Sequence, residues 1–343
     1  MSIKPKAVAA VAALTLVAAA AYFIAADGGP GGISVLGGSD GCPLTGEEPS
    51  SGRSLDAPAV AVKVENSPAA WPLSGLDKAD VVFEEIVEGG VTRFMAIYHC
   101  KDTTQAGPVR SARAVDPAIM QPLTSILAFS GANQTVLDTL RERGVVQVTE
   151  SNSRALRRIP RDGYSSEHTL YADTAAVRKE GMEKYDEAPD AIFEFGELNE
   201  MDASPKRATA VTIQFSSATT VTYEWKGGKW VRSQDGQPFM LTTGKQVAVQ
   251  NVLIAQHTVN YSKIVDVAGN PSTEIADETG SERAVLFRDG RAVEGRWSRE
   301  SLDDPVTFTT KKGDDMVLAP GKTWIELLPN DEGDVKGSFS YEK

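Results

Sequence analysis

Hydrophobic and polar positions change their pattern three times along the chain, and each change marks a predicted boundary. Residues 7–26 form an uncharged apolar run, and residues 27–58 are rich in Gly, Ser, Pro and acidic residues. Residues 59–205 mix strand-like runs with helical spacing, and over residues 206–343 the helical spacing nearly disappears. The pattern predicts an N-terminal apolar segment, a flexible tether, an α/β domain with a mixed sheet and a β-rich C-terminal domain, in the α+β or α/β class.

The predicted elements of the α/β domain alternate between strands and helices. Strands are predicted where β-branched and aromatic residues cluster, in VAVKVEN, DVVFEEIVE, RFMAIYHC, ILAFSG and VVQVTE. Helices are predicted where apolar residues recur at helical spacing, at 114–124, 134–144 and 174–185. The C-terminal domain instead has two predicted hairpins, VTYEWKGGKWVRS with its turn at Gly227-Gly228 and AVLFRDGRAVEGRWS with its turn at Asp289-Gly290.

Residues 1–26 have the composition of a signal peptide or a membrane anchor. Lys4 and Lys6 precede the apolar run and Asp27 follows it. A run of about 20 apolar residues can cross a bilayer as a helix, and the small residues near its end would also suit a cleavage site. The flanking charges favour a cytoplasmic N terminus. We therefore expect an exported, extracytoplasmic protein that is either secreted or anchored in the membrane through this segment; a buried helix is the remaining alternative.

The acidic balance of the chain excludes one class of partner. The 343 residues include 35 lysines and arginines against 47 acidic residues, a formal net charge of −12 at pH 7. Such a chain repels nucleic acid, so we expect no nucleic-acid partner. It would also repel an anionic envelope surface unless a local basic pocket overrides the overall field.

The chain has few cysteines and histidines, and this limits the disulfides and metal sites that it can form. Cys42 and Cys100 are the only cysteines, and a single pair in an exported chain favours a disulfide. Two separate buried thiols are the alternative. The three histidines are scattered, and the sequence contains no P-loop, dinucleotide fingerprint or nucleophile elbow. We therefore expect no metal and no cofactor.

The segment GPVRSAR, residues 107–113, contains the residue types of an anion site. Its first two residues can open a helix and leave the following backbone N–H groups free. Arg110 and Arg113 would then share a helix face, and Ser111 would add a hydroxyl. Free N–H groups and two guanidinium groups bind anions well. The alternative is structural pairing, of Arg113 with Asp116 and of Arg110 with an acidic residue elsewhere.

The segment FEEIVEGGVTRF, residues 83–94, places carboxylates in a predicted strand. Glu84 and Glu88 would share one face, while Glu85 would point to the other. The glycine pair after Glu88 permits a bend that returns Arg93 towards Glu88. Glu84 and Glu88 are therefore catalytic candidates, with a structural Glu88–Arg93 ion pair as the alternative.

His168, in SSEHTLYADT, is the third catalytic candidate. An imidazole can act as an acid or a base near neutral pH, although a lone histidine is more often structural. Tyr171 follows it in the same block. Upstream, RALRRIPRDGY contains arginines at 154, 157, 158 and 161. These form either a solvated basic loop or a rim that draws anions towards Arg110 and Arg113.

Several of these segments together resemble the YerB-like family of extracytoplasmic bacterial lipoproteins, domain of unknown function 3048. The blocks are CPLTGEE, VENSPAAWPLSGLDKADVVFEEIVEGGVTRF, GPVRSAR, HTLY, VLFRDGRAVEGRWSRES and LAPGKTWIELLP, within residues 42–335. Where the family has His-Asn-Leu-Tyr, this chain has His-Thr-Leu-Tyr, with Thr169 in place of the asparagine. Family members also commonly have Pro and an aromatic residue after GPVRSAR, where this chain has Ala114 and Val115. The resemblance implies a cell-envelope location and a two-domain fold, and no established activity.

The chain departs from the lipid-anchored members of that family. A lipoprotein signal would need a cysteine directly after the apolar run. Cys42 lies well beyond Ala26, in GGSDGCPLTGEE. The resemblance therefore does not extend to a lipid anchor.

Two functions are open at this stage. The first is an envelope-facing binding or accessory protein, whose arginine-lined cleft holds an anionic envelope component or the carboxylates of an envelope protein. Its ligand-binding residues would be Asn66, Arg93, Arg110, Ser111, Arg113, His168 and Tyr171. The second is a hydrolase or transferase acting on envelope glycan, with Glu84 or Glu88 and His168 as catalytic residues. A structural assembly partner would need a broad apolar patch instead.

Overall fold

The computed structural model describes residues 41–49, 51–52, 54–201, 203–266 and 269–343. The predicted signal or anchor segment and the first part of the predicted tether lie outside these residues. Packed structure begins before residue 59, because Cys42, Leu44 and Thr45 are buried. Among the residues described, no helix is both long enough and apolar enough to cross a membrane.

Strands account for most of the regular structure in these ranges. The strands are β1 (Val60–Glu65), β2 (Val81–Ile86), β3 (Thr92–Tyr98), β4 (Ile126–Ala128), β5 (Val146–Val148), β6 (Leu156–Arg158), β7 (Leu170–Ala172), β8 (Glu194–Phe195), β9 (Lys206–Arg207), β10 (Ala210–Gln214), β11 (Thr220–Lys226), β12 (Lys229–Gln234), β13 (Gln237–Pro238), β14 (Ala248–Val249), β15 (Asn251–His257), β16 (Val259–Val265), β17 (Pro271–Ile275), β18 (Gly280–Arg288), β19 (Arg291–Arg299), β20 (Thr307–Thr310), β21 (Val317–Leu318), β22 (Thr323–Pro329) and β23 (Ser338–Glu342). The α-helices are α1 (Asp116–Met120), α2 (Gln134–Glu142) and α3 (Thr174–Gly181). Short 3-10 turns cover Pro68–Ala70, Glu88–Gly90, Ser166–His168 and Leu198–Glu200.

One large mixed sheet, called the main sheet below, connects the two halves of the chain. Its strand order is β20-β19-β18-β15-β22-β2-β3-β1-β4-β5, with β9 attached to β19. Strand β22 lies between β15 and β2 and is parallel to both. Strand β3 is antiparallel to β2 and β1, and β4 and β5 extend the sheet in parallel. Segments on both sides of residue 205 therefore contribute to one sheet, and the fold is largely β with mixed sheets.

The main sheet is covered on both faces. A second sheet, in the order β13-β12-β11-β10-β23 with β14 on β12, packs against one face. Val211 and Trp230 of that sheet share a core with Val62 of β1. On the opposite face Ala61 of β1 shares a second core with Met120 of α1. Successive residues of β1 point to opposite faces, and every residue of the strand is buried because both faces are covered.

The turns of the two predicted hairpins lie where the sequence placed them. Gly227-Gly228 joins β11 to β12, and Asp289-Gly290 joins β18 to β19. All four residues have a positive φ, the conformation that tight two-residue hairpin turns require. The three predicted helices are also present, with shorter bounds, as α1, α2 and α3.

Residues 107–113 are extended, and the helix predicted to open there is wrong. Their backbone N–H groups are used by neighbouring segments: Val109 N donates to Leu170 O at 2.7 Å, and Arg110 N donates to Lys63 O at 2.9 Å. Helix α1 begins only at Asp116, whose carboxylate accepts the Arg113 N–H at 2.7 Å. The segment has no free helix N terminus, so its arginines can act only through their side chains.

Candidate functional site

Three arginines lie together where the extended segment 107–113 runs beside β1 and β3. Strand register places Arg93 of β3 opposite Glu65 of β1 on one side and opposite Glu85 of β2 on the other. Arg110 and Arg113 come from the extended segment, which is bonded to β1 through the Arg110 N–H. We call Arg93, Arg110 and Arg113 the arginine cluster.

Arg93 and Arg113 share one backbone acceptor. Arg93 Nη1 donates to Ser111 O at 3.1 Å, and Arg113 Nη1 donates to the same oxygen at 3.3 Å. Ser111 thus contributes its carbonyl, and among the described residues its hydroxyl makes no hydrogen bond. Arg113 Nη2 forms an ion pair with Glu88 Oε2, and Ser272 Oγ donates to Glu88 Oε1 at 2.6 Å. The ion pair expected between Glu88 and Arg93 is therefore made by Arg113 instead.

The position of Glu88 corrects a second expectation. Strand β2 ends at Ile86, so Glu88 lies in the following bend and does not share a strand face with Glu84. Burial opposes ionisation of Glu88, but Arg113 and Ser272 outweigh it and lower the pKa of that carboxyl. A carboxylate held ionised by an arginine is a poor general base. Glu88 therefore positions Arg113.

Arg110 belongs to a second group of contacts, centred on Glu65. Arg110 Nη2 lies 3.2 Å from Glu65 Oε1, and His168 Nδ1 lies 2.8 Å from Glu65 Oε2. Ser67 Oγ donates to Glu65 Oε1 at 2.6 Å. The Glu65 side chain is 4% exposed and that of His168 10%, whereas that of Arg110 is 27% exposed. Arg110 therefore presents part of its guanidinium to solvent above a buried acceptor.

The pKa of Arg93 is lowered mainly by burial and further by the like charges beside it. Burial, together with the positive charges of Arg113 and Arg110, lowers the pKa of Arg93 to about 10. In addition, Nε of Arg93 and Nε of Arg113 are buried and have no hydrogen-bond partner among the described residues. Buried donors are rarely left unpaired in folded proteins, so these two atoms mark a place where an acceptor is missing.

Asn66 and Glu84, two residues proposed for the site, belong to the protein interior. Asn66 is 1% exposed, and its amide donates to Thr92 Oγ1 at 2.7 Å and to Gln234 Oε1 at 2.9 Å. Glu84 is 0% exposed and is paired with Arg232, 2.8 Å from Oε2 to Nη1. Neither residue can reach a ligand in solution, because both lie between the main sheet and the second sheet.

A buried lysine was missed at the sequence level. Lys63 is 0% exposed, and its ammonium group contacts Glu85 and, at 2.5 Å, Asp116 Oδ1. Burial and the neighbouring Asp116 raise the pKa of Glu85 against the lowering effect of Lys63. The signal was present in VAVKVEN, where Lys63 and Glu65 alternate with valines in a strand that is otherwise apolar. This group ties β1, β2 and α1 together.

Tyr171 and Arg161 also serve the structure. Tyr171 is 4% exposed, and its hydroxyl accepts from Arg161 Nη1 at 3.3 Å. Arg161 also donates to the backbone carbonyls of Ala70 and Pro72 and stacks on a tyrosine ring. Arg154 and Arg157 are exposed, as a rim residue would be. In the basic segment RALRRIPRDGY, Arg161 is therefore a structural residue, whereas Arg154 and Arg157 are solvated.

Cys42 and Cys100 form a disulfide, with a Cα–Cα distance of 6.0 Å. His99 Nδ1 lies 3.4 Å from Cys100 Sγ, so these three residues bring possible metal ligands together, but the disulfide occupies both sulfur atoms. The chain has only two cysteines.

Comparisons with known proteins agree with this architecture. Two family models match the chain, the N-terminal domain of "Protein of unknown function (DUF3048)" over residues 44–187 and its C-terminal domain over residues 211–325. YerB of Bacillus subtilis (strain 168), which is named as a lipoprotein, is 30% identical over 284 residues, 79% of this chain and 81% of YerB. The crystal structure of the YerB protein from Bacillus subtilis matches with a TM-score of 0.71 at 25% identity, covering 88% of this chain and 99% of that chain.

Proposed function

This chain belongs to the DUF3048 family of proteins of unknown function, and from that premise we propose that it is an extracytoplasmic cell-envelope protein that binds an anionic ligand through the arginine cluster and His168. Its relative YerB is named as a lipoprotein, and this name supports a location in the cell envelope. The ligand would carry a carboxylate or a phosphate, as do peptidoglycan fragments, teichoic-type polymers and the acidic side chains of envelope proteins.

The two unpaired Nε atoms of Arg93 and Arg113 carry this proposal. An anion at this position would accept from them, and its negative charge would offset the burial and the neighbouring positive charges that lower the pKa of Arg93. Arg110 adds a partly exposed guanidinium with a single ion pair, to Glu65, among the residues described. Guanidinium groups bind carboxylate and phosphate with paired hydrogen bonds, which gives selectivity for planar or tetrahedral oxyanions.

Fewer observations support the alternative function, an enzyme that uses Glu84 or Glu88 with His168. Glu84 is enclosed with Arg232, and Glu88 is committed to Arg113. His168 is paired instead with Glu65, which also holds Arg110. Because each carboxylate is already matched to a cation, the geometry favours capture of an anion over proton transfer to a glycan.

The experiment captures envelope fragments on the immobilised full-length chain and identifies them by mass spectrometry. Titration calorimetry then compares a glycerol-phosphate oligomer with a muropeptide, so that phosphate and carboxylate are distinguished. Arg110→Lys keeps the charge but loses the planar fork, and we expect it to weaken binding about tenfold or more, since a charged hydrogen bond contributes ~1.5–3 kcal/mol.

The matched control is Arg141→Lys on α2, whose side chain is 65% exposed and pairs only with Asp138 among the described residues. We expect this variant to bind like the parent chain. Equal weakening by both substitutions, or an unchanged affinity in Arg110→Lys together with a large loss of stability, would show that Arg110 is a structural residue.

A further inference from the structure

Glu88 and Arg113 make a one-sided contact, although the two side chains have the groups for a paired one. The Nε–H of an arginine and one N–H of its Nη2 point the same way, and a carboxylate frequently accepts from both with its two oxygens. Here Glu88 Oε2 contacts Arg113 Nη2, whereas Arg113 Nε is buried without a hydrogen-bond partner among the described residues. The second oxygen of Glu88 is therefore kept away from Nε by another contact.

Ser272 of β17 makes that contact. Its Oγ donates to Glu88 Oε1 at 2.6 Å. Ser272 is 8% exposed, and the side chains of Glu88 and Arg113 are 9% and 14% exposed, so water competes little with these bonds. The carboxylate of Glu88 is thus shared, with one oxygen for Arg113 and one for Ser272, and Arg113 Nε is left unpaired.

The bend after β2, which carries this carboxylate, is itself fixed by the C-terminal half of the chain. Before the bend, Ile86 O accepts from Thr273 Oγ1 at 2.8 Å. At its end, Gly90 O accepts from Ser216 Oγ at 2.5 Å and from Thr219 Oγ1 at 3.0 Å. A Cβ at Gly90 would lie 2.9 Å from Ser216 Oγ, so this close approach needs a glycine. Because the backbone is held on both sides, the main freedom left to the carboxylate is rotation of its side chain.

We propose that Ser272 keeps the anion site open: by holding Glu88 Oε1 it prevents a paired contact with Arg113 and reserves Arg113 Nε for the ligand. This inference rests on the proposed function, because it assigns a positioning residue to the same site. Without the Ser272 hydroxyl, Glu88 Oε1 gains by accepting from Arg113 Nε, since a buried acceptor without a donor is costly. The internal carboxylate then occupies the atom that an external anion would use.

The test is titration calorimetry of the full-length chain in nanodiscs with a glycerol-phosphate oligomer and with a muropeptide, and empty nanodiscs give the blank. We expect Ser272→Ala to weaken binding of the probe that the parent chain binds by about three- to tenfold, the range that one hydrogen bond typically gives. Ser272→Thr keeps a hydroxyl and should restore the parent affinity.

The matched control is Ser262→Ala on β16, the strand paired with β17. The hydroxyl of Ser262 accepts from Ile264 N at 3.1 Å, within its own strand. We expect this variant to bind like the parent chain.

A double-substitution cycle shows whether Ser272 acts through Glu88. The side chain of glutamine has a single acceptor oxygen, so Glu88→Gln cannot form the paired contact with Arg113. In that background we expect Ser272→Ala to change the affinity by less than about twofold. If Ser272 had a merely structural role, its substitution would weaken binding by the same factor in both backgrounds.

The new contact can also be detected without a ligand. The Nε–H resonance of Arg113 in the nitrogen-15 spectrum of the arginine side chains is assigned through its loss in Arg113→Lys. In Ser272→Ala this proton should move downfield, because a hydrogen bond to a carboxylate deshields it. In Ser262→Ala it should keep its position.

The possible outcomes distinguish this inference from the proposed function. If the parent chain binds neither probe, the proposed function fails and this inference fails with it. If the parent chain binds and Ser272→Ala binds equally well, or loses the same factor in the Glu88→Gln background, this inference alone is wrong. An unmoved Arg113 Nε–H resonance in Ser272→Ala also overturns it. If Ser272→Ala does not fold, Ser272→Cys, whose thiol is a weak donor, gives the same readings at nearly the same volume.

Discussion

Glu84 of β2 and Glu326 of β22 lie opposite each other on adjacent parallel strands, and both side chains are completely buried. Arg232 of β12 is the cation that contacts both, with Nη1 at 2.8 Å from Glu84 Oε2 and at 3.6 Å from Glu326 Oε1. Burial and the neighbouring Glu84 raise the pKa of Glu326 far above its ordinary value. Burial and Glu84 therefore favour the protonated form of Glu326, and the Arg232 guanidinium lies beside both carboxyl groups.

This arrangement makes the stability of the fold depend on pH in a defined direction. A carboxyl whose pKa is raised on folding stabilises the protein below its ordinary pKa of 4.5 and loses that contribution as the pH rises. We expect Glu326→Gln to abolish this loss, so that the variant gains stability relative to the parent chain by up to about 1.4 kcal/mol per pH unit above 4.5. Urea unfolding at pH 4 to 9 measures it, and parallel pH profiles would contradict it.

Arg232 should be among the most sensitive positions in the second sheet. Arg232→Met leaves Glu84 and Glu326 buried without a cation, which we expect to cost about 3–5 kcal/mol in the free energy of unfolding. The matched control is Arg283→Met on β18, whose side chain is 46% exposed and which should change stability little. Adding Glu84→Gln to Arg232→Met should recover part of the loss, and strict additivity of the two changes would argue against the ion pair.

The disulfide should contribute measurably to stability because it closes a long segment of the chain. Cys42 and Cys100 are 58 positions apart. On the chain-entropy account, a loop of this length contributes about 4 kcal/mol, so the double substitution to alanine should lower the free energy of unfolding by roughly that amount. Thiol titration in denaturant without reductant should find no free thiol. Two thiols per chain would contradict the disulfide.

Membrane topology can be tested independently of the fold. The lysine-flanked apolar run at residues 1–26 and the cysteine pair predict that the folded part lies outside the cytoplasm. A reporter fused to the C terminus that is active only in an extracytoplasmic compartment should give signal, and the same fusion lacking residues 1–26 should not. Activity confined to a cytoplasmic reporter would reject the prediction.

Local features of the fold were accessible from the sequence. The glycine-containing turns at 227–228 and 289–290 specify their hairpins through backbone conformations that few other residues adopt. Helix α2 has an amphipathic pattern, and Asn133 caps it by accepting the Val136 N–H at 2.9 Å. In each case the determining contacts lie within a few residues, so the pattern itself contains the information.

Non-local features were not accessible. The segment 107–113 is extended because Lys63 and Leu170 take its N–H groups, and nothing in its own sequence reports those partners. Glu84 could be identified as an unusual strand residue, but its cation, Arg232, comes 148 positions later in the chain. Glu65 could likewise be identified as a charged residue in an apolar strand, but its partners Arg110 and His168 come from distant segments of the chain.

The insertion of β22 between β15 and β2 has a consequence for how the protein is made. During synthesis β2 can pair with β3 on one edge, but its other edge has no partner until residues 323–329 have been made. The hydrogen bonding of β2 therefore depends on a strand that is synthesised much later than its other neighbour. Late closure by a distant strand also implies slow folding, because long loops must close before the contacts form.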